Sequence, residues 1–112
     1  MSFEGVWQIE ILGPYGWQKI GTAFMLNGQY LAAGKDHHAV GSYKEDGDKI
    51  QVDVNVTQHG KTTTVFGETK KHIEARIEGK LEKPGKITGR LHPPKNRDYD
   101  LMLRMTRVET LD

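Results

Sequence analysis

The chain has 112 residues, 36% hydrophobic and 28% charged, with 16 basic and 15 acidic side chains. That make-up fits one globular domain over residues 1–112, and the near-neutral balance argues against a surface dedicated to nucleic acid or an anionic membrane. Cysteine is absent, which excludes disulfides and thiolate chemistry; no apolar run approaches the ~18 residues of a membrane helix, and Met1 to Gly5 show no leader pattern, so the expected location is the cytoplasm.

In chain order, Trp7, Ile9 and Ile11 alternate with Gln8 and Glu10 and predict a first strand, which Gly13-Pro14-Tyr15-Gly16 ends. Ile20, Thr22, Phe24 and Leu26 read as one face of a second strand. Asn27-Gly28 follows, a hairpin signal because both central residues of a tight turn take positive φ. Short candidates at Tyr30 to Lys35 and Val40 to Glu45 flank a break at Lys35 to His38. After Asp46-Gly47-Asp48 comes the cleanest alternation, Ile50, Val52, Val54 and Val56. Thr62 to Phe66 reads as a short strand or an extension of its neighbour. Ile73, Ala75, Ile77, Gly79 and Leu81 form the next face, then Pro84-Gly85, then Ile87, Gly89 and Leu91. His92-Pro93-Pro94-Lys95-Asn96 breaks the chain before Tyr99, Leu101, Leu103 and Met105.

No segment sustains the three-and-four spacing of a helix. About eight antiparallel strands, each apolar on one face, must hide that face, and closure into an up-and-down barrel does so while removing exposed edges. Glycines within the runs, such as Gly21, Gly41, Gly79 and Gly89, mark bends or bulges at barrel corners.

Several residues are candidates for function. Gly5-Val6-Trp7 opens the first strand and Arg104 lies on the last. In a closed barrel these strands are neighbours, so Arg104 is expected over the Trp7 ring, closing one end of the barrel or touching a ligand. Gly5, Trp7 and Arg104 resemble the structural signature of lipocalin-like (calycin-type) barrels. Glu45, Asp46 and Asp48 crowd one turn, which is either an ordinary solvated hairpin loop or a patch for a basic partner. Asp36-His37-His38 lacks chelating spacing, because adjacent strand residues face opposite ways. His59, His72 and His92 are expected in solvent. No metal or cofactor is expected. Ser2 and Ser42 are the only serines, and Ser42 has no nucleophile-elbow glycines around it, so no catalytic residues and no enzyme activity are expected. If Trp7, Phe24 and Leu103 point inward, then Val6, Leu12, Ala23, Met25 and Met102 point outward, and Val6, Ala23, Met25 and Met102 form a dimer or partner face.

Across nearly its whole length the chain resembles the GrlR-like family, small bacterial proteins named for a negative regulator of type III secretion genes. The resemblance rests on Gly5-Val6-Trp7, Gly21, Asn27-Gly28, Gly34-Lys35-Asp36, Gly41-Ser42-Tyr43, Val65-Phe66-Gly67, Gly79 and Leu103-Arg104 in that order. It implies an eight-stranded lipocalin-like barrel that forms a homodimer and represses by binding a transcriptional activator, without touching DNA. It also implies an acidic contact loop, matched here by Glu45, Asp46, Gly47 and Asp48. The functional expectation is a non-enzymatic regulatory or adaptor protein. The alternative is a carrier of a small apolar ligand inside the barrel.

Overall fold

The computed structural model describes residues 3–35, 37–58, 72–94 and 100–110. Where the sequence alternates, strands form: β1 (Gly5–Gly13), β2 (Gly16–Leu26), β3 (Gln29–Ala33), β4 (His37–Asp46), β5 (Lys49–Gln58), β6 (His72–Lys83), β7 (Lys86–His92) and β8 (Leu101–Glu109). Each pairs antiparallel with the next, and β8 returns to β1, giving a closed eight-stranded barrel. No helix occurs among the described residues. The expected strand over Thr62 to Phe66 and the expected start of the last strand at Tyr99 lie outside the described residues, as does His59.

The turns follow their residue chemistry. Asn27 and Gly28 adopt φ 52 and 79, the paired left-handed conformations of a two-residue hairpin that matches strand twist. Gly41 is required by crowding instead. It lies opposite Val54, and a Cβ there would overlap the Asp53 carbonyl of the adjacent strand.

The core is one cluster inside the tube, including Trp7, Ile50, Val52, Ile77, Ile87 and Leu103. Side-chain size alternates across β1 and β2. Inward-facing Gly5 sits opposite Met25, Trp7 opposite Ala23 and Ile9 opposite Gly21. Each bulky group meets a small one, so the layer fills without overlap. Further round the wall, Ala23, Ala32 and Ala39 are consecutive cross-strand neighbours, leaving room for the indole.

This arrangement reverses the expected facing of β2. Ala23 and Met25 are fully buried, while Phe24 is 46% exposed. Two causes combine. β2 is apolar on both parities, so alternation alone does not choose a face. A bulge then shifts the register: Ile9 pairs with Gly21 but Glu10 with Lys19, leaving Ile20 as the extra residue. A phenylalanine at the Ala23 position would collide with the space Trp7 occupies, and packing selects the small residue.

Candidate interaction surface

The barrel end built around Trp7 is closed. Trp7 is fully buried, and its Nε1–H donates to the Phe3 carbonyl at 2.9 Å. Gly5 has φ 148, and a Cβ there would come within 2.6 Å of the Glu109 carbonyl. The cation over the Trp7 ring is Arg107, at 4.6 Å from the centroid, in place of the expected Arg104. Parity explains the correction: Leu103 and Met105 face inward on β8, so Arg107 shares their side and Arg104 does not. Arg104 lies on the outer wall, where it grips Glu10 with Nε at 3.0 Å and Nη2 at 3.3 Å and stacks over Trp17 at 4.2 Å. The Arg104 hydrogen bond holds the Glu10 carboxyl below its ordinary pKa. At the same end, burial pushes the Tyr43 hydroxyl up, and burial drives the Tyr30 hydroxyl further, well above the usual tyrosine value.

The outer wall is divided by charge. Across β5–β8 the outward residues form ion pairs. Arg76 Nε donates to Asp53 Oδ1 at 2.7 Å, Gln51 donates to Asp53 Oδ2 at 3.0 Å, and Arg90 reaches Asp100 at 3.3 Å. Burial raises the Asp53 carboxyl, but the hydrogen bonds from Arg76 and Gln51 and the Arg76 charge outweigh it, and its pKa ends below the ordinary value. His92 belongs to this network. It was expected in solvent, yet it is 1% exposed, with Nε2 2.9 Å from Glu78 and Nδ1 2.8 Å from the Pro93 carbonyl. The ring N–H has an acceptor within reach at either nitrogen, which helps a polar ring tolerate burial at a strand end. His72 is exposed, with Thr57 Oγ1 3.2 Å from its Nδ1, and His37 and His38 are half-buried. Among the described residues no three His, Cys, Asp or Glu side chains are grouped as a metal site.

One patch of the outer wall on β1–β4 is different, although Glu10, Lys19 and Lys44 on the same strands are charged. Val6, Phe24, Leu31 and Val40 are direct cross-strand partners in one row. Val6 is half-buried; the other three are 46%, 49% and 51% exposed. The neighbouring outward rows hold Leu26, Gln29 and Ser42 on one side and Gln8, Thr22, Ala33 and His38 on the other. None of these is Asp, Glu, Lys or Arg. Of the residues expected to form a contact face, Val6 belongs to this row. Met102 is 48% exposed but stands opposite Arg90 on the charged side, and Ala23 and Met25 are inside the barrel. Phe24, Leu31 and Val40 were missed. A readable trace exists: residues 20–34 contain no charged side chain in a chain that is 28% charged.

Glu45, Asp46 and Asp48 are all exposed at the β4–β5 hairpin, whose Gly47 has φ 63. The turn is anchored. Glu45 Oε1 accepts the Phe3 N–H at 2.8 Å, and the Asp48 carbonyl accepts the Leu81 N–H at 2.7 Å. Asp48 also faces Lys80 at 3.9 Å. Glu45 and Asp46 form part of the rim of an open groove of about 530 Å³, shared with Lys44, Lys49, Lys80 and Arg90. The chain matches no protein-family model and no curated protein.

Proposed function

We propose that the chain is a small non-enzymatic bacterial regulatory or adaptor protein of the GrlR-like type, acting through protein–protein contacts. The observation that carries this reading is the division of the outer wall. On β2–β4, Phe24, Leu31 and Val40 stand exposed side by side with no Asp, Glu, Lys or Arg directly cross-strand from them, and charges begin only at Glu109 opposite Val6 and Asp53 opposite Ser42. A soluble barrel gains nothing from such a patch unless another surface covers it. The β4–β5 hairpin supports the same reading, because Glu45, Asp46 and Asp48, interleaved with Lys44, Lys49 and Lys80, are exposed on a backbone-anchored turn where a partner such as a transcriptional activator can pair with them. In this reading the protein touches neither nucleic acid nor membrane and works in the cytoplasm.

The carrier alternative has less support. Trp7, Val52 and Ile87 are each 0% exposed, so no water-sized void touches them. The test is capture of a partner from the source organism with the tagged full chain, followed by the same capture with Glu45→Lys, Asp46→Lys, Asp48→Lys. Loss of the partner with an unchanged melting temperature supports the reading. Retention of the partner by the triple variant makes the hairpin an ordinary loop.

A further inference from the structure

We propose that the outward row Trp17, Leu12 and Met102, on β2, β1 and β8, docks a short extended segment of another protein, acidic and carrying a bulky apolar side chain. This site is separate from the row of Phe24, Leu31 and Val40 and from the β4–β5 hairpin, and depends on neither.

Register builds the row. Leu12 faces Trp17 across β1 and β2, and the pairing of Ile11 with Leu103 brings Leu12 alongside Met102. Leu12 and Met102 are 37% and 48% exposed, and Trp17 is half-buried. Tyr15 stands 93% exposed on the turn that joins the same two strands, between Pro14 and Gly16. A tyrosine so placed adds nothing to the core. Arg104 lies over the Trp17 ring, 4.2 Å from its centroid, and Glu10 fixes it there. Tryptophan, tyrosine and arginine are the side chains that carry most of the energy in protein contacts. An arginine already stacked and paired loses little freedom on binding.

Extent selects a short segment over a folded domain. Strands spaced about 4.8 Å apart put the ends of the row, on β2 and β8, roughly 10 Å from one another, which is the rise of three extended residues. A stable contact between two folded surfaces covers about 800 Å² a side, far more than this row offers.

Charge selects an acidic segment. Lys19 and Arg104 flank the row on one side, Arg90 stands opposite Met102 at its end, and Lys86 follows further down β7. The carboxylates among them are already engaged. Glu10 is held by Arg104, Asp100 by Arg90, and Glu78, opposite Arg90, by His92. Lys19 and Lys86 add to the pull of Arg104 on the Glu10 carboxyl, so this one carboxylate sits among three cations. The surface beside the row is left positive. A basic segment is repelled from it, and a carboxylate next to an apolar anchor is drawn to Lys19 and Lys86.

The experiment selects short random peptides displayed on phage against the full chain, then measures one synthetic peptide of the selected sequence by titration calorimetry and tryptophan emission. Trp7 is sealed, so a change in emission reports on Trp17. The expected consensus joins Asp or Glu to a Phe, Trp or Leu. Trp17→Ala is expected to weaken the peptide by about 30-fold, as loss of a central aromatic anchor does. Lys19→Glu, Lys86→Glu is expected to weaken it by about tenfold. Glu45→Lys, Asp46→Lys, Asp48→Lys is expected to bind it as wild type does. A selection that returns no consensus, or a basic one, overturns the proposal. So does an acidic peptide whose affinity survives Trp17→Ala or the double lysine reversal. If Trp17→Ala loses its strand spectrum in circular dichroism, Met102→Glu carries the same test, because it sets a like charge in the row at an exposed position; unchanged affinity there also overturns the proposal. Failure here is distinguishable from failure of the functional reading, since the capture experiment reads Glu45, Asp46 and Asp48 and this one reads Trp17, Lys19 and Lys86.

Discussion

Replacing Met25 or Met102 with lysine separates the inner from the outer wall. Met25 is fully buried between the cross-strand positions of Gly5 and Tyr30; Met102 is 48% exposed. Burial of a methionine side chain contributes about 1.5–3 kcal/mol. A lysine at Met25 forfeits most of that and adds the cost of an uncompensated ammonium near Tyr30, several kcal/mol more. At least ~4 kcal/mol of destabilisation follows, which places this variant in the severe class. An unfolding entropy near 2.1 cal/mol/K per residue makes 1 kcal/mol equal to about 4 °C for a chain of this length. Met25→Lys is therefore expected to melt at least ~15 °C below wild type, and Met102→Lys within ~2 °C of it. Thermal unfolding followed by circular dichroism, at matched protein concentration, reads both. A Met25→Lys variant with a wild-type melting temperature would place Met25 on the outer wall and refute the facing assigned to β2.

Arg107→Ala is expected to cost about 0.5–2 kcal/mol and to shift Trp7 fluorescence, because it removes the cation 4.6 Å from that ring; urea denaturation checks the energy, and an unshifted emission spectrum counts against the contact. Gly41→Ala is expected to destabilise by more than ~2 kcal/mol, since its Cβ would overlap the Asp53 carbonyl; a melting temperature equal to wild type would mean that β4 and β5 sit farther apart. Asp53 and Glu10 have folded-state pKa values below their unfolded ones. Their stabilisation is thus present above the unfolded values, near pH 4, and is lost as pH falls through the folded values. Acid titration of stability should show that decline, and Asp53→Asn should flatten it; an unchanged slope would show that the Arg76 pair contributes nothing.

Much of the barrel is legible in the residues. Ile50, Val52 and Val54 alternate with polar residues because one wall is wet and one dry, and β5 forms there. Asn27-Gly28 and Pro84-Gly85 end strands for backbone reasons that hold in any fold. The contact surface is less legible, because facing depends on pairing register and not on local pattern. In β2, Ala23 and Met25 compete with Phe24 and Leu26 for the interior, and only the size of Trp7 on the neighbouring strand decides. The same applies to the two arginines of β8: the choice between Arg104 and Arg107 is one of parity, and parity is visible once Leu103 and Met105 are known to face inward. His92, expected in solvent, is buried at the end of β7, where its ring meets Glu78 on β6, a contact that no local pattern displays. The acidic hairpin is legible as a turn, but its anchoring to Phe3 joins residues far apart in the chain.

Closure between the first and last strands sets both the sealed interior and the divided exterior. Cross-strand backbone nuclear Overhauser effects on the isotope-labelled chain measure it directly. The account predicts contacts from Gln8 to Thr106 and from Ile9 to Met105, alongside those joining Trp7 to Ala23. Contacts between β1 and β2 without any between β1 and β8 would describe an open sheet and contradict it.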